Sequence, residues 1–527
     1  MSKMIPINPP ITETPPTETV VSRIRANAHA HPDRLALVCG DDRLSWGTFD
    51  LRINRVSNLI VQLGLGRGDN VAIISPNSVA YAELFMGILR AGACVTPLSS
   101  MASADALQKM LTDCGAKVIF VAAQYLDLVA GFVTDLPIKR FAIDFELPLF
   151  DDYETALAAS PTTDPMIPIA MADPFNLIYS SGTTGTPKGI IQDHWMRAAQ
   201  MDRVSPNGYD DDARTLIATP LYSNTTIVSF VPTLFGGSTV YLMPKFDARG
   251  YLEIVQRERI THTMLVPVQY KRIMGVPDFD SFDLSSMRMK FSTSAPLRAD
   301  LKMDVLARFP GKLTEYYGLT EGGGVTVLLA DEHPNKLHTV GQLAPGSDIR
   351  LIDTEGHEVP RGEVGEICGR GPTMMAGYYG RDDLTADYIW RDAKGRVYFR
   401  SGDMGSFDDD GFLVLSDRKK DMIISGGLNI YANDLELVLL SDPDVVDAAV
   451  IGVPSEAWGE TPLGLIVLRE GAKRTAGEIL QRANRALGKS QRLSDIEVRE
   501  TLPRSTIGKI LKKDLRIPYW DTKKENT

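Results

Sequence analysis

Residues 179–190 read YSSGTTGTPKGI, and a strand-like FNLIY (175–179) leads into them. Gly182, Gly185 and Gly189 let backbone amides approach a ligand closely. Ser180, Ser181, Thr183, Thr184 and Thr186 add hydroxyl donors, and Lys188 adds a cation. That mixture suits a phosphate. It is not a Walker loop, because its lysine does not follow a glycine and precede Ser or Thr. The one GKS of the chain, Gly488–Ser490, has Ala483 where that motif needs its first glycine. Composition alone is equally satisfied by a flexible surface loop. The flanks decide between the two: a strand enters and a helix-like stretch from about His194 leaves, which is where α/β folds hold phosphates.

Working outward, short β-branched runs alternate with amphipathic stretches. NVAIISP (70–76) precedes SVAYAELFMGILRAG, and KVIFVA (117–122) follows ADALQKMLTDCG. Period-2 runs alternating with helical spacing predict α/β layers with largely parallel sheets. No fixed-period repeat is present, which argues against a solenoid. After about residue 340 short strands and frequent turns predict a β-rich subdomain. Within it DDDG (408–411) signals a hairpin that places Asp403 and Arg418 near its two open ends. Beyond DRKKD (417–421) a compact α/β tail of about one hundred residues follows, with strands near 446–453 and 463–468 and a helix near 475–487. The expected organisation is a flexible arm (1–20), a large N-terminal domain (21–418) of layered α/β subdomains plus the β-rich one, and a small mobile α/β C-terminal domain (419–527).

At 527 residues the chain needs more than one core. Hydrophobic residues at 44% and charged residues at 23% match a globular protein. A net charge of −11 argues against nucleic acid as a partner. Cys39, Cys94, Cys114 and Cys368 occur singly, which fits a reducing compartment, the cytoplasm, and neither a zinc site nor a disulfide framework. The uncharged run TIVSFVPTLFGGSTVYLM (226–243) contains Pro232, Gly236 and Gly237, so a helix and a strand joined by a Gly-Gly turn is expected, not a membrane span. The N-terminus lacks the apolar core of a secretory signal.

Further segments follow in order: TPLYSN (219–224), YYGLTE (316–321), YFRSGDMG (398–405), DRKKDMIISGGLNIYANDLE (417–436) and LPRSTIGKILKKDLR (502–516). As an ordered set reaching from about residue 20 to 517, they resemble the adenylate-forming superfamily of acyl- and aryl-CoA synthetases, peptide-synthetase adenylation domains and firefly luciferases. The resemblance implies two steps: a carboxylate attacks the α-phosphate of ATP to give acyl-AMP and pyrophosphate, then a thiol displaces AMP. Both require negative charge to be neutralised.

By the same resemblance Glu321 is a magnesium ligand and Thr320 a phosphate contact, although an isolated Thr-Glu pair is ordinarily surface. Ser294, Ala295 and Pro296 pack against adenine, with Tyr317 on its other face and Gly318 beside it. Asp403 accepts both ribose hydroxyls and Arg418 approaches the same ribose. Lys509 bridges the attacking carboxylate and the α-phosphate, whereas Lys512 and Lys513 are expected to be solvated. Ser425, Gly426 and Gly427 line the pantetheine tunnel. Lys509 and Gly427 serve different half-reactions, so rotation of the C-terminal domain about Lys420 is implied.

Tyr222, Ser223, Tyr316 and Gly318 are the expected acyl-pocket residues. Ser223 replaces a histidine usual in CoA ligases. The absence of an acid in YSNTTIVSF disfavours an amino acid, and Gly318 stands where acetate-specific relatives carry tryptophan. The implied substrate is larger than acetate: a fatty, branched, alicyclic or aromatic acid. Tyr316 either narrows the pocket and adds a hydroxyl or simply packs. No carrier-protein serine motif is present, so CoA is the expected acceptor, with a carrier protein in trans as the alternative. Luciferase activity would keep the same motifs. Nothing in the sequence excludes a homodimer.

Overall fold

The computed structural model describes residues 16–180, 188–204, 207–418, 421–425, 428–456, 458–487, 491–505 and 508–520. Two compact units divide the chain: Met1–Ile349 with Gly369–Phe399, and Arg350–Cys368 with Arg400–Thr527. The second unit thus begins on the N-terminal side of DRKKD and takes in residues 400–418, whose strands pair with each other.

In the first unit the described residues form two large sheets. One is ordered Gly377–Tyr378, Lys188–Asp193, Pro174–Ser180, Cys94–Pro97, Asn70–Ile74, Val118–Val121, Lys139–Ala142 and Asp151–Asp152. Asn70–Ile74 pairs in parallel with both of its neighbours and is buried throughout, as a near-continuous apolar run requires. The other sheet has a parallel centre of Thr239–Leu242, Arg214–Ile217, His262–Leu265, Met289–Ser292 and Lys312–Tyr317. Its edge beyond Lys312–Tyr317 is antiparallel, through Thr326–Leu329 and Gln342–Leu343.

The helices Trp46–Gln62 and Val79–Arg90 begin at Ser45 and Ser78, whose hydroxyls accept from the backbone amides of Thr48 and Tyr81. Their apolar faces join one core, in which Phe85 lies 6.1 Å from Phe175 and 5.9 Å from Phe230 between ring centroids. Each fully buried phenylalanine contributes roughly 1.5–3 kcal/mol. The run 226–243 is the helix Asn224–Phe235 and the strand Thr239–Leu242, joined through Gly236 and Gly237 as expected. Among the described residues no helix is long and apolar enough to cross a membrane.

The strand Val397–Phe407, which enters the second unit at Arg400, forms with Leu413–Arg418 the hairpin signalled by DDDG, with Asp403 directly opposite Arg418. The tail sheet runs Leu428–Ile430, Ile423–Ser425, Gly459–Leu468 and Val445–Ser455, with Asp495–Val498 parallel to Gly459–Leu468. Ala476–Ala486 starts with a reciprocal cap between Thr475 and Glu478 and covers the sheet through Ile479 and Ala483. All four cysteines are free thiols.

Candidate active site

The glycine-rich loop joins two antiparallel strands, not a strand and a helix. Ser180 is paired with Lys188 and Tyr179 with Gly189. The helix His194–Val204 begins six residues further on, after the strand Lys188–Asp193. No helix N-terminus therefore follows Lys188 directly. Ser181, Gly182, Thr183, Thr184, Gly185 and Thr186 lie outside the described residues, as do Lys420, Gly426 and Gly427.

Lys188 leaves that strand pair with its ammonium on the Tyr388 hydroxyl at 2.8 Å, 4.6 Å from the centroid of the Tyr388 ring and 5.6 Å from that of Tyr378. Tyr378 reaches this position because the short strand Gly377–Tyr378 pairs with Lys188–Asp193, in register with Ile190. Its hydroxyl donates to Glu321 Oε1 at 2.9 Å. Lys188, Tyr388, Tyr378 and Glu321 thus form one continuous row in which two phenols separate a cation from a carboxylate. Burial and the adjacent carboxylate push the Tyr378 phenol well up, so it stays protonated and donates.

Glu321 is placed by its own turn. Gly322 has φ +75°, and a Cβ there would lie 1.6 Å from the Thr373 carbonyl oxygen, so only glycine fits. The Met375 amide donates to the Glu321 carbonyl at 2.8 Å. From the other side Gln192 Nε2 donates to the Thr320 carbonyl at 2.6 Å, which links the two sheets. Gln192 belongs to a buried amide cluster around Arg197. The guanidinium donates to Asn176 Oδ1 at 3.0 Å, Gln200 Oε1 at 3.0 Å and Asn224 Oδ1 at 2.9 Å, and also to Gln192 Oε1. Arg197 is fully buried. Asn224 opens the helix Asn224–Phe235, so the cluster fixes that helix, the loop flanks and the Thr320–Glu321 turn together.

Of the expected adenine contacts, Ser294 has φ +78°, uncommon for a residue with a side chain, and its hydroxyl meets that of Thr225. Ala295 and Pro296 continue this segment, and the next amide, Leu297, is held by Glu315 Oε1 at 2.7 Å. Tyr316 and Tyr317 end the strand Lys312–Tyr317 and, being successive, project to opposite faces. The Tyr316 hydroxyl accepts from Asn207 Nδ2 at 2.8 Å, and its ring is 6.0 Å from Phe291. A Cβ on Gly318 would meet only Val325 Cγ2, at 3.4 Å, so neither backbone nor packing demands glycine there. Tyr222 is largely buried. Ser223 occupies the N-cap of Asn224–Phe235, yet its hydroxyl makes no capping bond.

In the second unit Asp403 is buried, and its amide donates to Ser401 Oγ at 3.0 Å. Its strand partner is Arg418. Ser425 ends the strand Ile423–Ser425, opposite Leu428 and Gly459. Lys509 is hydrogen-bonded to Ser505 through its main chain. Its amide donates to Ser505 Oγ at 3.1 Å and its carbonyl accepts from the Ser505 amide at 2.8 Å, while Gly508 takes φ +77°. Lys512 corrects the expectation of a solvated side chain: it pairs with Glu436 at 2.8 Å, and both side chains are largely buried. The reason is tertiary, since Glu436 lies on the separate helix Ala432–Leu440. Lys513 lines a cavity of about 350 Å³ with Met422, Arg516 and Trp520.

Lys188, Tyr378, Tyr388, Thr320 and Glu321 lie together beside the strands that flank the glycine-rich loop. The chain belongs to the AMP-binding enzyme family: that family's pattern matches residues 24–379, and the pattern of the AMP-binding enzyme C-terminal domain matches 434–509. It is similar to a feruloyl-CoA synthase of Amycolatopsis sp, 34% identical over 94% of this chain and 97% of the relative. It is also similar to an indoleacetate–CoA ligase of Aromatoleum aromaticum, 31% identical over 94% and 96%. Among solved structures, ATP-bound MatB from Rhodopseudomonas palustris superposes with a TM-score of 0.87 at 28% identity, over 96% of this chain and 99% of the other. The protein is an enzyme, an adenylate-forming acid–thiol ligase of the acyl-CoA synthetase type.

Proposed function

We propose that this ligase activates an aryl acid, larger than acetate, and transfers it to CoA, with Lys188, Thr320 and Glu321 handling the ATP phosphates. The observation that carries the phosphate assignment is the row Lys188–Tyr388–Tyr378–Glu321, which places a cation and a carboxylate at the two ends of a pair of phenols, beside the strands that flank the glycine-rich loop. The space at Gly318, which packing does not demand, supports an acyl group of more than two carbons. The names of the feruloyl-CoA and indoleacetate relatives favour aryl over fatty acids and CoA over a carrier protein.

In the first step a carboxylate oxygen bonds to the α-phosphorus and the bond to pyrophosphate breaks. In the second the thiol sulfur bonds to the acyl carbon, the acyl–phosphate bond breaks and AMP leaves. Lys188 neutralises phosphate oxygens, and the Thr320 hydroxyl donates to them. Glu321 fits a magnesium ligand: Oε1 is held by Tyr378, and Oε2 makes no hydrogen bond among the described residues. No cluster of three or more His, Cys, Asp or Glu suited to a metal occurs among the described residues, so phosphate and water oxygens would complete the shell, as magnesium prefers. When bound, magnesium neutralises the leaving pyrophosphate. Asp403 and Arg418 are the proposed ribose partners. Lys509 is proposed to bridge carboxylate and α-phosphate, with Ser425, Gly426 and Gly427 beside the pantetheine arm and Lys420 as the pivot between half-reactions.

The test is AMP release by purified protein with ATP, magnesium and CoA over a panel of straight-chain, branched, alicyclic and aromatic acids. Turnover at least about tenfold higher on aryl acids than on acetate is expected, the discrimination of a pocket that rewards apolar contact. Preference for acetate or palmitate would refute the substrate class. Pyrophosphate exchange without CoA-dependent AMP release would refute the acceptor.

A further inference from the structure

We propose that Tyr378 is a positioning residue that fixes one oxygen of Glu321 and so aims the other at the metal; this rests on the reading of Glu321 given above. A glutamate side chain carries substantial rotamer entropy, and ordering it before the ligand arrives removes that cost from binding. Tyr378 is suited to the task because it is itself immobile. Its amide donates to Thr385 Oγ1 at 2.9 Å, its backbone pairs with Ile190, and its ring meets Tyr388 edge-on at 5.8 Å. Tyr388 in turn stacks on Phe399 at 5.6 Å. The Tyr378 residue is only 3% exposed.

Packing does not explain the hydroxyl. A phenylalanine would keep the ring contacts and the face presented to Lys188. Among the described residues the hydroxyl's hydrogen-bond partner is the Glu321 carboxylate, and a ring buried for bulk alone needs no hydroxyl. The other end of the motif shows the same preparation. Gly322 forces the turn, and Gln192 holds the Thr320 carbonyl, so the main chain of the Thr320–Glu321 pair is fixed as well as the Glu321 side chain.

The experiment is the magnesium dependence of ATP binding, measured by titration calorimetry on the full chain without acid or CoA, for wild type, Tyr378→Phe, Tyr388→Phe and Glu321→Gln. For Tyr378→Phe the magnesium concentration at half-effect rises roughly tenfold, the consequence of losing one hydrogen bond to a charged group. Tyr388→Phe, which loses the bond to Lys188 alone, leaves that midpoint in place while weakening ATP binding. In the Glu321→Gln background Tyr378→Phe adds no further shift, a coupling that survives any general loss of stability. An unchanged midpoint in Tyr378→Phe, equal shifts in both tyrosine variants, or full additivity with Glu321→Gln would overturn the proposal. A wild-type midpoint in Glu321→Gln would instead overturn the assignment of Glu321 and leave the ligase reading intact.

Discussion

The surroundings of Glu321 and of Lys509 hold a functional group in two different ways. At Glu321 the bonds reach the carboxylate itself, through Tyr378, and both flanking carbonyls, through Gln192 and the Met375 amide. At Lys509 the bonds described reach the main chain, which exchanges hydrogen bonds with Ser505, and Gly508 takes φ +77°. A ligand for a metal gains from a rigid side chain, because coordination tolerates little angular error. In the role proposed for Lys509, a cation follows charge from a carboxylate to a phosphate, and a fixed main chain sets where that cation starts. The difference teaches that the Thr320–Glu321 turn is held through a side chain as well as the main chain, whereas the bonds described at Lys509 reach its main chain.

The comparison is broken most directly at its second member. Lys509→Ala is expected to lower the rate of acyl-AMP formation by about 10²–10³-fold, the usual cost of removing one group that stabilises developing charge. Thioester formation from supplied acyl-AMP should survive. Equal loss of both half-reactions in rapid-quench assays would refute the assignment. At the first member, Glu321→Gln should reduce kcat/KM for ATP by about 10²-fold, with the loss recovered only in part by excess magnesium. A variant with wild-type kcat/KM would remove Glu321 from the site.

A third prediction separates folding from chemistry. Gly322→Ala forces a side chain into positive φ and onto the Thr373 carbonyl, and should cost about 3 kcal/mol, read as a lowered Tm. An unchanged Tm would mean that the turn relaxes easily, and that Glu321 is less firmly placed than the contacts indicate.

The smallest expected effect concerns His194, at the start of the helix that carries Arg197. Burial pushes its imidazole down to about 4, and neither ring nitrogen has a hydrogen-bond partner among the described residues. Between pH 4 and the ordinary value of 6.5 the unfolded chain binds the extra proton. Its contribution to stability is therefore full above about pH 6.5 and declines as pH falls toward 4, by up to roughly 3 kcal/mol. Asp193, pushed up to about 6 by burial, runs the opposite way over part of this range and masks the effect in the wild type. His194→Phe keeps the edge contact with Phe175, so calorimetry should show its Tm rising relative to wild type as pH is lowered from 6.5 to 4.5. A constant difference across that range would contradict the assignment.

Much of this was legible in the sequence. The DDDG signal put Asp403 and Arg418 at the open ends of a hairpin, and the strands place them in direct register. Glycine, hydroxyls and lysine marked the loop before Lys188, but not its form. KGIIQD is short, and a helix starts immediately after it, so the strand was hidden and the loop was expected to lead straight into the helix. Tyr378 and Tyr388 carried no local signal, because the partner of one lies 57 residues away and that of the other 200. Arg197 reads as an exposed helix residue in HWMRAAQMDRV. Its partners Asn176, Gln192 and Asn224 lie on other elements, so no local pattern announces its burial. The three glycines after Glu321 were the one visible sign that this turn is tightly enclosed.

The most direct test of the central claim is AMP formation by the purified chain, with ATP and magnesium, when an aryl acid and CoA are added separately and together. AMP accumulation that requires both, with one pyrophosphate released per AMP, is the predicted result. AMP release without CoA at the same rate, or none with any acid, would contradict the account.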